Sequence, residues 1–312
     1  MGVMKMHKSV LLNESIEMLN IKNGGVYVDA TLGFGGHSSE ILKRNEKGML
    51  FCFDQDEMAV NYSKDRLSEI GNNFEIIKSN FVNMKSELMK RGITKVDGIL
   101  FDLGVSSVQL DVADRGFSFH NDAKLDMRMD TSSDFSAYNV VNEYSCSELI
   151  DIFYRYGEEK YSVPIAKNIV KYRENKKIET TLELAEIIKS SVPMKVRRES
   201  HPARKVFQAI RIEVNKELDV LSSALEQAID LLNVGGRLCV ITFHSLEDRL
   251  VKTTFKKYSE VDKMVAGLPF IPEEYQPILK IVGKSIVPSK EELEVNNRAR
   301  SSRLRVCEKI KG

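Results

Sequence analysis

The residues of this chain best suited to chemistry begin with the run Asp29-Ala30-Thr31-Leu32-Gly33-Phe34-Gly35-Gly36-His37-Ser38. It follows an apolar β-type segment, Val26-Tyr27-Val28, and opens a helical one. Glycines at such a turn let the backbone approach a ligand closely and take positive φ. A Gly-rich turn alone is common without any ligand. Here a second apolar run, Met49 to Asp54, ends in a carboxylate roughly 20 residues after the glycines, where an acid can accept hydrogen bonds from ribose hydroxyls. The combination points to a ligand with a nucleoside half.

Two ligand classes fit that outline, a nicotinamide dinucleotide and S-adenosylmethionine. The dinucleotide fingerprint wants a third small residue at position 38, which Ser38 half satisfies, and sets a pyrophosphate against a helix N-terminus. The pattern here is acid-x-x-x-Gly-x-Gly, with Asp29 at the strand end. An acid beside the pocket suits a sulfonium and repels a pyrophosphate, which favours S-adenosylmethionine. A further acid stands in Phe101-Asp102-Leu103-Gly104-Val105, at the end of a nearly continuous apolar run. In open α/β sheets that carboxyl edge is where ligands bind. Amino-methyltransferases acting on bases carry Asp/Asn-Pro-Pro-aromatic at this point, and the two prolines are missing here. The physical need is similar: a cytosine amine has its lone pair delocalised into the ring, so acceptors must hold its N–H groups while nitrogen becomes tetrahedral. Asp102 and the following carbonyl can serve, with the base stacked on an aromatic ring. The alternative is a strand-end carboxylate that caps local backbone.

The elements that must carry these residues alternate between β-rich runs and helical segments, as in a parallel sheet covered on both faces. Val26–Asp29, Met49–Asp54, Phe74–Lys78 and Val96–Leu103 read as strands, with helical segments over Ser38–Arg44, Met58–Ile70 and Met84–Arg91. The rhythm then breaks. Ser145-x-x-Glu148 and Thr180-x-x-Glu183 are capping boxes ahead of apolar-periodic segments, Pro164 suits a helix first turn, and Gly157 and Pro193 read as stops. Leu218, Leu221, Leu225, Ile229 and Leu232 form one long stripe, ended by Gly235-Gly236, before a fifth strand at Arg237–Phe243. Ile278–Val282 and Ser302–Lys309 look like a closing antiparallel pair. The expected fold class is therefore α/β, a class I Rossmann-like methyltransferase sheet built from 1–108 and 212–312, with an inserted all-helical substrate-recognition domain over 109–211. Ser245 is the expected cap of a helix after the fifth strand.

Composition narrows the classes. With 42% hydrophobic and 29% charged residues the chain of 312 is an ordinary globule. Its apolar runs fall far short of a membrane span, and the N-terminus has no export layout; Met6 stands where a myristoylation signal needs Ser or Thr. A cytoplasmic location is expected. The 4 cysteines form no close pair and the 5 histidines no ligand-like spacing, so neither a disulfide framework nor a metal is expected. Net charge is only +1, so nucleic-acid binding must come from local patches. Lys195, Arg197, Arg198, Arg204 and Lys205 make one; Arg298, Arg300, Arg303 and Arg305 make another. A solvated charged face is the commoner meaning of such clusters.

Asp-Ala-Thr-Leu-Gly-Phe-Gly-Gly-His-Ser (29–38), Asp-Leu-Gly-Val-Ser-Ser-x-Gln-Leu-Asp (102–111), Arg-Gly-Phe-Ser-Phe (115–119) and Leu-Asp-Met-Arg-Met-Asp (125–130) follow one another. Then come Tyr-Gly-Glu-Glu (156–159), His-Pro-Ala (201–203), Phe-Gln-Ala-Ile-Arg-Ile (207–212), Thr-Phe-His-Ser-Leu-Glu-Asp-Arg (242–249) and Arg-Ala-Arg-Ser-Ser (298–302). In that order they resemble the bacterial 16S rRNA (cytosine-N4) methyltransferase family over essentially the whole chain. The resemblance implies S-adenosylmethionine-dependent methylation of the exocyclic N4 of a cytidine in the decoding region of small-subunit rRNA, free or within the assembled 30S particle. The protein would be a monomer or homodimer that needs no membrane and no metal. Carried over by motif, the cofactor contacts are Gly35, Gly36, His37, Asp54, Phe81, Asp102 and Gln109, with Asp102 the catalytic candidate. Phe81 follows the third strand, where an aromatic can sandwich adenine or simply pack into the core. Phe117, Phe119, Asp126 and Arg128 open the inserted segment. One of the aromatics is expected to stack the target base while Asp126 or Arg128 positions it, with Arg204 and Lys205 on the RNA backbone. Two positions depart from the family pattern: Asn297 stands where Pro is usual, and Lys205 where Arg is expected, keeping charge without bidentate geometry. Two rivals remain open, a methyltransferase for protein or a small molecule, and an RNA-binding assembly factor with a vestigial pocket.

Overall fold

The computed structural model describes residues 9–105, 113–199, 201–262 and 264–312. They fall into two compact units, one built from the chain up to Gly104 together with Leu218–Gly312, the other from Val105–Glu217.

The first unit is a seven-stranded sheet in the order β3-β2-β1-β4-β5-β7-β6. Its strands are β1 (Val26–Asp29), β2 (Met49–Asp54), β3 (Phe74–Lys78), β4 (Val96–Asp102), β5 (Leu232–Thr242), β6 (Leu279–Ile281) and β7 (Arg303–Lys309). β1 to β5 pair in parallel, whereas β7 runs antiparallel to both β5 and β6. This order with a reversed β7 is that of the class I methyltransferase sheet. The strand pleat sorts side chains strictly by parity. On β2, Phe51 and Phe53 enter one apolar layer with Met84, Leu88, Leu225 and Phe255, while Leu50 and Cys52 enter the opposite layer with Leu19, Ile41 and Leu67. Burial on both faces explains why β4 reads as a continuous apolar run.

Helices α1 (Leu12–Leu19), α2 (Gly36–Arg44) and α3 (Glu57–Ser68) supply one layer; α4 (Met84–Lys90), α11 (Glu217–Leu231) and α12 (Ser245–Ser259) supply the other. Two local readings are corrected here. Helix α11 gives way directly to β5 at Leu232, so Gly235-Gly236 does not stop a helix; it sits in the strand, with Gly235 at φ 82° beside a register shift against β4. The cap of α12 is His244, whose ring accepts from Glu247 N, rather than Ser245.

The second unit holds α5 (Ala137–Glu143), α6 (Cys146–Arg155), α7 (Ser162–Arg173), α8 (Thr181–Ser190), α9 (Met194–Glu199) and α10 (Ala203–Asn215). Both capping boxes form: Ser145 with Glu148 starts α6, and Thr180 with Glu183 starts α8. The amphipathic faces so fixed meet in one core of Leu149, Phe153, Ile165, Leu184, Val206 and Ile210.

Candidate functional site

β1, β2 and β4 each end in aspartate, and because they run in parallel, Asp29, Asp54 and Asp102 share the carboxyl edge of the sheet. Strand order reverses between β1 and β4, which is the topological switch point where open α/β sheets bind ligands.

Asp29 is 1% exposed and organises the turn after its own strand. Its Oδ1 accepts from Thr31 N (3.1 Å) and its Oδ2 from Ser38 Oγ (2.6 Å). Burial raises its pKa, and the Ser38 and Thr31 bonds oppose that rise. Thr31 Oγ1 in turn accepts from Asp102 N (2.6 Å), tying the turn to β4. Gly35 has φ 70°, a conformation strained for a residue with Cβ. A Cβ on Gly36 would press on the Ser9 side chain, which would have to move aside. Ser63 Oγ and Arg66 Nη1 donate to the Gly33 and Phe34 carbonyls (2.7 and 3.0 Å), locking the loop from α3.

Asp54 accepts from Gly33 N (2.9 Å) through Oδ2 and from Asp56 N (2.8 Å) through Oδ1. Each oxygen keeps a further acceptor site. Burial, opposed by those two bonds and reinforced by Asp56 and Asp29, raises its pKa to about 6.

Asp102 carries the least satisfied charge. Its Oδ1 is buried with no hydrogen-bond partner among the described residues, and Oδ2 stands 3.6 Å from His37 Nδ1. Burial lifts its pKa well above the usual carboxylate range, and Asp29, Glu247 and Glu292 push it further. His37 is held by Val10 O at 3.2 Å, and burial lowers its pKa to about 4, so it is neutral near pH 7 and brings no positive charge. A half-buried carboxylate with one oxygen buried, acted on by other acids and facing a neutral ring, favours either a proton or a cation. A nucleoside that carries a sulfonium, S-adenosylmethionine, fits on each count: acceptors at Asp54, side-chain-free backbone at Gly35 and Gly36, and an uncompensated negative charge at Asp102.

The remaining expected residues are placed as follows. Phe81 lies just past β3, half-buried, its ring edge-on to Phe101 at 5.4 Å. Gln109 lies outside the described residues. In the helical unit Phe117 is 7% exposed and belongs to the core, so its ring is not presented to a base; Phe119 is half-buried and stacks on exposed His201, with centroids 4.5 Å apart. Asp126 and Arg128 form a bidentate pair (2.7 and 2.8 Å), and Arg128 also donates to the Thr131 and Ser133 carbonyls, so the two hold their own loop together. Arg204 is exposed, while Lys205 Nζ donates to Glu158 O (2.9 Å). Of the C-terminal arginines, Arg305 pairs with Asp248 through two bonds (2.7 and 3.0 Å). Sequence reasoning missed Glu247, which is 3% exposed, accepts from Phe243 N (2.8 Å) and has Oε1 3.1 Å from His244 Nε2. It also missed Glu292. Glu247 stands in the 242–249 motif, but its first-turn place reads as the acid of a helix start.

Three solved structures are similar over nearly the whole chain. An rRNA methylase from Streptococcus thermophilus is 14% identical with a TM-score of 0.44, over 98% of this chain and 100% of that one. A methyltransferase from Streptococcus mutans in complex with SAH is 12% identical with a TM-score of 0.45, over 97% and 99%. TrmN from Thermus thermophilus is 11% identical with a TM-score of 0.43, over 96% of this chain and 48% of that one. A model of the MraW methylase family matches residues 4–310, and the chain belongs to that family.

Proposed function

We propose that the protein transfers a methyl group from S-adenosylmethionine to the exocyclic N4 of a cytidine in the decoding region of small-subunit rRNA. The observation that carries this reading is the buried Oδ1 of Asp102, without a partner among the described residues, at the switch point of the sheet. The donor, when bound, supplies a methyl group made electrophilic by its sulfonium. The chain does the rest. The Gly33–Gly36 backbone admits the donor's nucleoside half, and Asp54 accepts from ribose hydroxyls. Asp102 accepts an N–H of the target amine, which draws the nitrogen lone pair out of conjugation and aims it. As the new N–C bond forms and the C–S bond breaks, the amine carries one proton too many. A carboxylate whose pKa is pushed upward is a better acceptor for that proton than an ordinary one.

The helical unit supports an RNA target. Phe119 stacked on His201 beside exposed Arg204 and Lys205 combines aromatic faces with positive charge, the pairing that holds single-stranded nucleic acid. Labelled transfer from S-adenosylmethionine to isolated small subunits and to free rRNA, followed by nucleoside analysis, tests the assignment. N4-methylcytidine is expected. A different methylated nucleoside would move the target, and donor binding without any transfer would leave an RNA-binding role in its place.

A further inference from the structure

His37 meets a backbone carbonyl on one side and a carboxylate on the other. A carbonyl has no proton to give, so the buried Nε2···O contact to Val10 at 3.2 Å is a hydrogen bond only if Nε2 carries the hydrogen. The ring is neutral near pH 7, so Nδ1 is then a bare lone pair, 3.6 Å from Asp102 Oδ2. The ring's orientation and tautomer therefore depend on where the Val10 carbonyl points.

That carbonyl belongs to the peptide unit between Val10 and Leu11, whose N–H is donated to Glu292 Oε1 at 2.9 Å, across 281 positions of sequence. Leu11 is fully buried and sits at φ 49° and ψ 37°, the left-handed region that is strained for a residue with a Cβ. A peptide held at a strained residue needs an external partner to keep one orientation. Glu292 lies in α13 (Lys290–Val295), whose N-terminus is capped by Ser289, and it is also one of the acids that act on Asp102.

We propose that Glu292 is a positioning residue for the methyl-donor pocket: by holding Leu11 N–H it orients the Val10–Leu11 peptide, whose carbonyl fixes His37 as the Nε2–H tautomer and turns the Nδ1 lone pair toward Asp102. In this arrangement His37 cannot neutralise Asp102 with its own hydrogen, and the pocket is left to a proton or to the cation of the donor. Among the described residues, the groups that act on or face Asp102 are Asp29 on β1, neutral His37 on α2, Glu247 on α12 and Glu292 on α13. The inference rests on the donor assignment above for its purpose, though not for its observable.

The test is nitrogen-15 NMR of imidazole-labelled protein, in which the tautomer of His37 is read directly without donor or RNA. Wild-type protein is expected to show His37 as Nε2–H. Glu292→Gln keeps an oxygen acceptor and should keep that tautomer, whereas Glu292→Ala should give a tautomer mixture. Calorimetry with S-adenosylmethionine should show Glu292→Ala binding about tenfold more weakly, with Glu292→Gln restored to within about threefold. Because Glu292→Gln also removes one of the acids acting on Asp102, its pH profile of donor binding should shift to lower pH. A wild-type His37 protonated on Nδ1 overturns the proposal whatever the variants do, as does Glu292→Ala with unchanged tautomer and affinity. Wild-type protein with the expected tautomer and no affinity for S-adenosylmethionine would sink the donor assignment and leave the relay standing.

Discussion

Donor binding should be gated by the protonation of Asp54, and the size of that gate follows from the structure. The donor's ribose hydroxyls need a carboxylate acceptor, while the free protein holds this group at a pKa of about 6. Asp54's share of the apparent dissociation constant then scales as one plus ten to the power of six minus pH: about 11-fold weaker binding at pH 5, about 2-fold at pH 6, and almost none at pH 7. Asp102 is shifted in the same direction, so it steepens the acid limb and cannot cancel it. The linkage for folding has the opposite sense. A carboxyl raised in the native state contributes stability that is full below its ordinary 3.8 and lost as pH rises through about 6, at most about 3 kcal/mol for this displacement. Replacing Asp54 by Asn should therefore flatten its share of the binding profile. It should also weaken binding at pH 8 by about 100-fold, since charge-assisted hydrogen bonds contribute about 1.5–3 kcal/mol each. In melting curves without donor, the variant should gain on the wild type as pH rises from 4 to 7. Isothermal titration from pH 5 to 8, in buffers of differing ionisation enthalpy, reads both affinity and protons released. Affinity that is level across that range, or a gradient as steep in Asp54→Asn as in the wild type, would refute the reasoning.

Asp102→Asn should cut methyl transfer by at least about 100-fold, since an oriented acceptor in a water-poor site is worth that much to a barrier; the free protein should melt higher at pH 8, where the carboxylate is most costly. Single-turnover rates together with melting curves check both, and an undiminished rate removes Asp102 from the chemistry. Phe119→Leu should lower RNA methylation several-fold through lost stacking, about 1–3 kcal/mol per base, with donor affinity unchanged. Equal turnover would exclude that ring. Thr180→Ala should destabilise the helical unit by about 1 kcal/mol in urea, because α8 loses the cap that satisfies Glu183 N; no change in the unfolding midpoint would mean that the box contributes nothing.

What could be read in the sequence was what local physics decides. Met49–Asp54 and Phe74–Lys78 are strands over those same residues because their apolar runs end at sharp polar boundaries. The capping boxes were legible for the same reason, since Ser145 to Glu148 closes within one turn. Asp29, Asp54 and Asp102 stood out as strand-end acids, and parallel pairing brings those ends to one edge. Phe117 and Phe119 looked equivalent two residues apart; only tertiary packing puts the first in the core and leaves the second half-exposed. Asp126 and Arg128 looked like ligand groups because a bidentate pair two residues apart leaves no pattern in sequence. The contact of Glu292 with Leu11 could not be read at all, because strand order and not spacing brings such distant segments together.

The acids around Asp102 also bear on what happens after transfer. The acids Asp29, Glu247 and Glu292 that act on Asp102 favour a cation beside it. Demethylated product, S-adenosylhomocysteine, keeps the nucleoside proposed to bind Asp54 and has a neutral sulfur. With product bound, Asp102 faces the same uncompensated field as in the free protein and keeps its preference for a proton; with donor bound, that proton must leave. Donor binding near pH 7 should therefore release up to about one proton more than product binding, and the donor-to-product affinity ratio should rise with pH. The charge preference would then act on release, since the ligand that no longer satisfies Asp102 is the one that must go. Calorimetric proton counts for the two ligands decide it. Equal release would mean that Asp102 does not sense the sulfonium, and its orphaned oxygen would need another explanation.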